Sequence, residues 1–441
     1  MNPATQSQQS GTHVGRLQNG RTCARTATAC TLHCKEVQRE AIVPHWAAGE
    51  RFSTTKGAFL TIHVWTWFVE FGYAIALAAM FYSVVAAFAM RRPISQVDRP
   101  AERLRPVTIL KPLCGAEPDT YECLRSFCVQ AFPHYQVVFG VSDANDAVVP
   151  IVRRLQREYP QCDLSLVIER RSHGNNRKVS NLINMMAAAR HDYLVISDSD
   201  VRVEPDYLGR IVAPLAEEQV GIVTCCYRGV ARAGVWSILG SMFINEWFMP
   251  SVRVAAMMGF RSFAFGATIA IRRDTLDRIG GFPAVAGQLA DDYRLGELTR
   301  RLGLATVLSD VEVETMVGEK SVAELVAHEL RWRRTIRILS PSGYRFSFIT
   351  FGLPITALQM MLAGGAAAAA IIFGITVLSN ASLHLAVDRH RSRRAKLLLV
   401  PLRDLLHFAL WGWSFATRRV QWRSHHYRVT PDGSAQPVVR T

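Results

Sequence analysis

The sequence predicts an α/β domain, built on a parallel sheet with crossover helices, that is attached to a membrane by apolar helices on both sides of it. The length of 441 residues favours two or three structural units over one. Short β-rich runs alternate with helical stretches from residue 105 to about 320, as in a parallel sheet. Hydrophobic residues make up 49% of the chain, slightly more than in an ordinary soluble enzyme, and the longest apolar runs lie outside this region.

The net charge of +15, from 51 Lys and Arg against 36 Asp and Glu, favours nucleic acid or an anionic membrane surface as a partner. The basic residues crowd beside apolar runs, at Arg91 and Arg92 and again from Arg389 to Lys396. No zinc finger, basic zipper or RNA-binding aromatic pattern accompanies them. This distribution predicts a membrane partner and no nucleic acid.

The nine cysteines do not make a disulfide scaffold at this length, and Cys225 and Cys226 are adjacent, which an ordinary disulfide cannot join. Reduced thiols in a cytosolic compartment are therefore predicted. Cys30, His33 and Cys34 have a spacing that resembles zinc ligands, but no second Cys/His pair follows at a suitable distance. No zinc site is predicted there.

Residues 1–60 lack lasting hydrophobic periodicity and the apolar core of a signal peptide, so we expect a disordered extension with no part in the chemistry. From Val64 to Met90 the chain is apolar with one Glu, and at about 1.5 Å per helical residue this run exceeds a hydrocarbon core of about 30 Å. Residues 64–90 are therefore predicted to form a transmembrane helix. Arg91 and Arg92 close it, which by the positive-inside rule places the following residues in the cytoplasm.

Five runs in the central region have strand character. They are VTILKP, VVFGVSD, LSLVIE, DYLVISDSD and GIVTCCY. Ligands of open α/β sheets bind beyond the carboxyl ends of the strands. Asp143 ends the second run, and Asp198 and Asp200 lie at the end of the fourth. These carboxylates are expected to converge at one edge of the sheet.

Residues 348–416 are predicted to form a C-terminal membrane region. The stretch from Phe348 to Val387 is nearly uncharged and is about twice as long as a helix needs to cross a bilayer. Two transmembrane helices that turn near Gly364 and Gly365 fit this stretch better than one.

The last apolar run, from Leu397 to Ala416, contains Arg403 and Asp404 and is flanked by basic residues at both ends. Because a simple crossing would not satisfy the positive-inside rule, an interfacial or re-entrant helix is favoured. Residues 417–441 are expected to form a cytoplasmic tail.

Asp198, Ser199 and Asp200 form a DxD triplet at a strand end. Two carboxylates one residue apart can share a hard divalent cation that also binds a diphosphate and neutralises it as a leaving group. Asp and Ser are also common in turns after strands, which leaves a structural role open. Asp143 has two interpretations as well, since it could accept a hydrogen bond from the imide of a uracil ring or cap the helix that follows.

The stretch from His173 to Asn181 packs amides and two cations into a loop before a helix, as a cradle for nucleotide phosphates does. A solvated turn is the alternative. Asp291 and Asp292 precede an amphipathic segment, where acidic residues favour the helix dipole. A carboxylate held near an acceptor hydroxyl is also the general base that an inverting sugar transfer needs.

His328, Arg331 and Trp332 open a basic stretch that leads to the C-terminal membrane region. A cytoplasmic collar of charge accounts for this composition. Alternatively, the planar guanidinium of Arg331 could clamp a diphosphate, and Trp332 could wall a sugar or lipid site.

The order of these motifs resembles the membrane-bound glycosyltransferases of the ceramide glucosyltransferase type, and most closely the bacterial hopanoid-biosynthesis glycosyltransferases of that superfamily. The resemblance runs from about Val107 to Tyr427. It rests on three acidic positions, a GxNxK loop and a terminal RxxRW or QxxRW motif. These motifs fall on Asp143, Asp198 with Asp200, Asp292, Gly174, Asn176, Lys178, His328, Arg331 and Trp332.

The resemblance implies a Rossmann-like GT-A catalytic domain over residues 105–340, a UDP-sugar donor, Mg²⁺ or Mn²⁺, and inversion at the anomeric carbon. In that picture Asp143 binds uracil, Asp198 and Asp200 hold metal and diphosphate, and Asp292 deprotonates the acceptor hydroxyl. The other donor-site residues that it implies are Asn176, Lys178, Arg331 and Trp332.

The chain departs from the family pattern at two places. His328 replaces the Gln or Arg of the terminal motif, so no role is carried over to it. The triplet reads DSD where the ceramide enzymes have DSG, so the predicted metal pair is more complete here.

The resemblance implies transfer of N-acetylglucosamine to a membrane lipid, a hopanoid polyol, in the bacterial inner membrane. Glucosylation of ceramide or another lipid stays open, because pocket shape makes that distinction. A processive polysaccharide synthase would normally have more membrane helices, and a non-enzymatic scaffold would not bind UDP with Mn²⁺. The apolar surplus from Trp236 to Phe260 is expected to form core in part and an interfacial groove for a lipid tail in part.

Overall fold

The computed structural model describes residues 54–92, 105–260, 264–388, 393–417, 419–422, 425–430 and 433–437. Residues 61–441 form one compact unit, and of residues 1–60 only the start of the first helix is described. The expectation of disorder from residue 1 to 53, and the Cys30, His33 and Cys34 group, lie outside the described residues. The first helix begins at Thr54, before the predicted start at Val64.

The described part of the chain contains an eight-stranded sheet with the order β3-β2-β1-β4-β7-β6-β8-β5. The strands are β1 (Val107–Pro112), β2 (Tyr135–Val141), β3 (Asp163–Ile168), β4 (Tyr193–Ile196), β5 (Val201–Arg202), β6 (Val220–Ala231), β7 (Ile269–Arg272) and β8 (Ala305–Val317). Each of the five runs with strand character in the sequence forms a strand of this sheet.

The helices alternate with these strands and then continue alone toward the C-terminus. They are α1 (Thr54–Ala89), α2 (Thr120–Ser126), α3 (Val149–Glu158), α4 (Arg177–Met185), α5 (Tyr207–Val212), α6 (Gly234–Phe243), α7 (Met249–Met257), α8 (Arg273–Arg278), α9 (Asp291–Arg301), α10 (Val322–Leu339), α11 (Pro341–Phe346), α12 (Gly352–Leu362), α13 (Ala367–Val387), α14 (Arg393–Lys396) and α15 (Val400–Trp413). A π-helix, Ile244–Phe248, joins α6 to α7.

The sheet is mixed, whereas a parallel sheet was predicted. β3, β2, β1 and β4 are parallel, but β7 runs antiparallel between β4 and β6. The chain leaves β6, passes through α6 and α7, and enters β7 from a loop at the carboxyl edge of β4. No crossover returns it to the opposite edge, so β7 must run in the reverse direction.

β1, β2, β4 and β6 are buried on both faces because helices cover both sides of the sheet. Val137 and Phe139 of β2 pack on one side with α2, α3 and α5, while Val138 packs on the other side with α4 and α9. This three-layer arrangement explains why the strand runs are almost continuously hydrophobic. It also leaves the carboxyl edge as the place for polar side chains.

Residues 417–441, which were expected to form a tail, contribute a second, three-stranded antiparallel sheet. Its strands are β9 (Arg419–Trp422), β10 (His425–Val429) and β11 (Ala435–Pro437). Val420 and Tyr427 are buried against Leu289 and Ile338. The segment is therefore packed on the α/β domain, because its apolar side chains contact apolar side chains there.

Among the described residues, two helices are long and apolar enough to cross a membrane, Trp65–Ala89 within α1 and Ala367–Val387, which is α13. These agree with the prediction of membrane helices on both sides of the α/β domain. Trp65 and Trp67 are exposed at the start of the first span, as in an interfacial belt.

The second crossing that was expected between residues 348 and 387 is not one continuous helix. α12 has 11 residues, and it follows Pro341–Thr350 after a bend of 64°. Gly364 and Gly365, with φ angles of 61° and 75°, separate α12 from α13. At about 1.5 Å per residue, α12 alone is too short to span a bilayer.

The charges of α15 are explained by a buried ionic cluster. Arg403 donates to Glu246 of the π-helix at 2.5 Å and to Asp404 at 2.5 Å. His384 of α13 lies 2.7 Å from the other oxygen of Glu246. The cluster joins α13 and α15 to the α6–α7 segment, so Arg403 and Asp404 face protein.

Replacing Arg403 by Met is expected to lower the free energy of unfolding by about 3–5 kcal/mol, because Glu246 is left buried without its guanidinium partner. Replacing Glu246 by Gln in the same chain removes that charge, so the double variant should be more stable than Arg403→Met alone. Thermal unfolding in detergent measures the order of stability of these variants, with the exposed Arg345→Met as control. A double variant less stable than Arg403→Met would contradict the interpretation.

Candidate active site

The sheet brings three of the predicted residues together around Gly266. β7 runs antiparallel to β4, so the loop before β7 lies beside the residues that follow β4. A Cβ atom placed on Gly266 would lie 3.3 Å from Asp198 Oδ2, Asp292 Oδ2 and Lys178 Nζ. Three side chains that are far apart in sequence therefore border one small space.

Lys178 is the cation at the centre of this group. Its ammonium lies 2.6 Å from Asp198 Oδ1 and 3.6 Å from Asp291 Oδ2. Burial by itself would lower the pKa of Lys178, but the charges of Asp198, Asp291 and Asp292 outweigh it and raise that pKa. The side chain is therefore held in its charged form.

Asn176 is fully buried, and its side chain binds other parts of the protein. Its Oδ1 accepts a hydrogen bond from Val179 N at 3.1 Å and caps α4. Its Nδ2 donates to Gln288 O at 2.8 Å and to Asp291 Oδ1 at 3.2 Å. These bonds tie the start of α4, and with it Lys178, to the loop that precedes α9.

Asp292 is the carboxylate with the most altered acidity in this cluster. Its Oδ2 accepts from Gly266 N at 2.8 Å and its Oδ1 from Tyr293 N at 2.8 Å. Burial and the neighbouring charge of Asp291 raise the pKa of Asp292 to about 6, against the opposing effect of Lys178. The N-cap of α9 is Ala290, so Asp292 does not hold the capping position.

Asp198 and Asp200 are the two carboxylates that could contribute oxygen ligands to a metal. Asp200 Oδ2 accepts from the Thr315 hydroxyl at 2.6 Å, and burial together with the charge of Asp198 raises the pKa of Asp200. Within the described residues, no group of three or more His, Cys, Asp or Glu side chains could hold a metal ion. Hard divalent cations commonly combine one or two carboxylates with water and substrate phosphates, so the pair fits a metal that arrives with a diphosphate.

Asp143 lies apart from this cluster, at the end of β2. β1 separates β2 from β4, which puts the two strand ends about 10 Å apart at the usual strand spacing. Asp143 Oδ1 accepts from Asn145 N at 3.0 Å and pairs with Arg170 at 3.1 Å, and these two contacts lower its pKa. Asp146, and not Asp143, binds Val148 N before α3.

Arg331 and Trp332 of α10 close another side of the site. Burial lowers the pKa of Arg331, while the charges of Asp198 and Asp200 act in the opposite direction. The ring centroid of Trp332 lies 6.2 Å from that of Tyr227 and 5.9 Å from that of Phe248, in edge-on contacts. α10 thus brings a guanidinium and an aromatic wall to the carboxylate cluster.

His328 lies one turn before Trp332, and their ring centroids are 6.0 Å apart. Its Nδ1 is 2.5 Å from Glu319 Oε1. Burial of Glu319 would raise its pKa, but the hydrogen bond and charge of His328 lower it below the usual value. His328, which replaces the Gln or Arg of the terminal motif, therefore connects α10 to Glu319, just after β8.

Sequence reasoning missed three residues of this site, Lys111, Tyr227 and Gly266. Lys111 is fully buried in β1, donates to Asp198 O, and has its pKa lowered to about 8 by burial. A lysine within an apolar strand is an available signal for such a position. Tyr227 and Gly266 carry no such signal, because ordinary strands and turns contain the same residues.

A family model for glycosyl transferase family 21 matches residues 71–435, which include the sheet and every site residue described above. The chain belongs to glycosyl transferase family 21. The predicted superfamily is confirmed at this level, whereas the hopanoid-associated subtype stays a prediction.

The curated relatives include ceramide glucosyltransferase 3 of Caenorhabditis elegans, 24% identical over 227 residues, 51% of this chain and 49% of that protein. The ceramide glucosyltransferase of Candida albicans is 31% identical over 121 residues, 25% of this chain and 22% of that protein. This family 21 chain spans about half, or less, of the length of these relatives.

Among solved structures, this chain is similar to the mannosyltransferase PcManGT from Pyrobaculum calidifontis in complex with GDP-Man and Mn²⁺. It is 21% identical in sequence, with a TM-score of 0.45, and the match covers 77% of this chain and 97% of that one.

Replacing Asn176 by Asp is expected to destabilise this glycosyltransferase more than Asn176→Ala does. Asp caps a helix as well as Asn, but its carboxylate would face Asp291 Oδ1 where the amide now donates. Thermal unfolding at pH 8 measures the difference, with the exposed Asn145→Asp as control. If only the cap mattered, Asn176→Asp would be as stable as the native protein. Asn176→Ala would then lower the free energy of unfolding by about 1 kcal/mol.

Proposed function

We propose that this chain is an inverting glycosyltransferase that moves a sugar from a UDP-sugar to a hydroxyl group of a membrane lipid. The observation that carries the proposal is the buried carboxylate of Asp292, held by Gly266 N beside Asp198 and Lys178, with its pKa raised to about 6. A general base with a pKa near the working pH can take a proton from a hydroxyl as it attacks.

In this mechanism the acceptor oxygen bonds to the anomeric carbon while Asp292 takes its proton. The bond between that carbon and the β-phosphate oxygen of UDP breaks on the opposite face, which inverts the configuration. Asp291 is a weaker candidate for the base, because Asn176 and Lys178 already bind its carboxylate. The contact with Gly266 N fixes one oxygen of Asp292 and keeps the carboxylate aimed at the site.

The donor side of the site is assigned to residues on three elements. Arg331 provides positive charge for the departing diphosphate, and Trp332 walls the sugar. Asp143, two strands away, is at a suitable distance to accept from the uracil imide. Lys178 contacts phosphate or holds Asp198 in place, and Asn176 acts by positioning Lys178.

We assign Asp198 and Asp200 to a Mg²⁺ or Mn²⁺ ion, which would stabilise the negative charge on the leaving UDP. Replacing Asp200 by Ala, or chelating divalent metal with EDTA, is therefore expected to abolish transfer while the protein stays folded. Titration calorimetry should show that the same variant no longer binds Mn²⁺ together with UDP. Full transfer in EDTA would remove the metal from the mechanism.

The acceptor is proposed to enter from the membrane beside α7. Ser251 of α7 hydrogen-bonds Tyr82 of α1 at 2.9 Å, and Val254 packs on the same helix. Met258 and Phe260, at the end of α7, are exposed. These exposed apolar side chains next to the membrane helix would suit a lipid tail.

We propose a hopanoid polyol as acceptor and N-acetylglucosamine as the sugar. Glucosylation of ceramide is the second candidate, and it is favoured by the names of the curated relatives. Mass spectrometry of membrane lipids before and after deletion of the gene distinguishes them. Loss of a glycosylated hopanoid supports the first candidate, loss of a hexosylceramide supports the second, and an unchanged lipid profile contradicts both.

The catalytic domain is proposed to face the cytoplasm of a bacterial inner membrane, in a multi-pass protein. Arg91 and Arg92 at the end of the first span support this orientation. A cysteine reporter in the catalytic domain should resist labelling from outside intact cells. Labelling from outside would reverse the topology.

The variant Asp292→Asn is expected to lower kcat by roughly 10² to 10⁴, because the amide keeps the size of the side chain but cannot accept the proton. Donor affinity and melting temperature should stay close to those of the native enzyme. Assays of lipid glycosylation and UDP-sugar binding measure both quantities, with the exposed Asp274→Asn as control.

The pH profile gives an independent check on Asp292. A base acts only when deprotonated, so kcat/KM of the native enzyme should be level above about pH 7 and fall about tenfold per unit below pH 6. Near-normal transfer by Asp292→Asn would reject the base assignment. Loss of donor binding in that variant would move Asp292 to the nucleotide site.

A further inference from the structure

The C-terminal sheet contacts the loop that leads to Asp292. Leu289 N donates to Gly433 O at 3.1 Å, and Gln288 forms an isolated β-bridge with Ser434. Gln288 Nε2 also lies 3.3 Å from Ser434 Oγ. These bonds reach the loop only a few residues before the proposed base.

The opposite side of the same loop is bound to the start of α4. Asn176 N donates to Ala286 O at 2.9 Å, and Asn176 Nδ2 donates to Gln288 O at 2.8 Å. Residues 286–290 therefore lie between Asn176 at the start of α4 and the segment Gly433 and Ser434 that precedes β11. The loop passes directly into Asp291 and Asp292 at the start of α9.

The C-terminal sheet is also attached to α10, the helix with Arg331 and Trp332. Arg334 Nη1 donates to Arg419 O at 2.8 Å, and Arg337 Nη2 donates to Thr417 O at 2.8 Å. Through these bonds, and through the packing of Val420 on the loop, one small sheet joins the donor side of the site to the base side.

Gly433 is suited to this contact by its backbone and by its lack of a side chain. Its φ angle is 83°, a left-handed conformation that other residues rarely adopt. A Cβ atom on it would lie 2.9 Å from Gln288 Oε1 and 3.1 Å from Leu339 Cδ2. A larger residue would combine a strained backbone with a forced shift of the Gln288 side chain, whose oxygen ends beside this position.

We propose that Gly433 and Ser434 are positioning residues for sugar transfer, which hold the loop 286–290 so that Asp292 stays against Gly266 N. The inference rests on the proposed role of Asp292 as the base. It makes the C-terminal sheet a part of the catalytic apparatus that acts through the loop and does not touch substrate.

The test uses the full-length enzyme in detergent and two variants, Gly433→Ala and Ser434→Ala. The matched control is Gly234→Ala, because Gly234 has a φ of 76° and no atom within 4 Å of an added Cβ, so it has similar backbone strain without the clash. Hydrogen exchange at Leu289 and Gly266 measures the loop and the carboxylate, since these amides donate to Gly433 O and Asp292 Oδ2. Steady-state kinetics measure kcat, donor KM and the acid limb of the pH profile.

Gly433→Ala is expected to speed exchange at both amides and to lower kcat by roughly 10 to 10² fold, since small displacements of reacting groups have effects of this size. Donor KM should change by less than about threefold, and the acid limb should move, because Asp292 would leave its present environment. Ser434→Ala, which leaves the backbone bond in place, should show the same changes at a smaller size.

An unchanged kcat in Ser434→Ala and Gly433→Ala, or an equal loss in Gly234→Ala, would overturn the proposal. Faster exchange at Leu289 with native exchange at Gly266 would also overturn it, because the loop would then move without the carboxylate. If the native enzyme transferred no sugar, the proposed function would fail, whereas the exchange data would still report whether the sheet positions Asp292.

Discussion

The site depends on charge compensation at the carboxyl edge of the sheet. Asp198, Asp291 and Asp292 lie around the single ammonium of Lys178, and their mutual repulsion would be costly in a buried site without it. The compensation of the carboxylate charges is incomplete, since the pKa of Asp292 is raised to about 6. A carboxylate left partly uncompensated is more basic than a paired one, and this is the property that proton abstraction from a hydroxyl requires.

α10 connects this edge to the membrane region. Arg331 and Trp332 face the site, while Arg333, on the same helix, is fully buried. The Arg333 guanidinium lies 2.6 Å from His407 of α15 and 4.7 Å from the ring centroid of Phe243. α10, which we assign to the donor side, is therefore held by the helices that follow the α/β domain.

Much of the fold followed from local patterns. The strand runs, the first apolar span and the helices around Gly364 and Gly365 all depend on hydrophobic periodicity, length and glycine conformation, which neighbouring residues encode. The direction of β7 did not, because it is decided by where the chain re-enters the sheet. The burial of Arg403 could not be predicted for a similar reason: its partner Glu246 is distant in sequence. The residues around Arg403 and those around Glu246 do not indicate that the two side chains pair.

The sequence by itself determined which chemical groups are available, namely the DxD carboxylates, the amide-rich loop and the acidic start of α9, because backbone propensities place such residues after strands and before helices. The tertiary structure decided how they act. Packing turned Asn176 into a buried connection, brought Lys111 under the DxD turn, and placed Gly266 where a side chain would collide with the cluster. Acidity and contact depend on burial and on neighbours from other strands, and these exist only once the chain has folded.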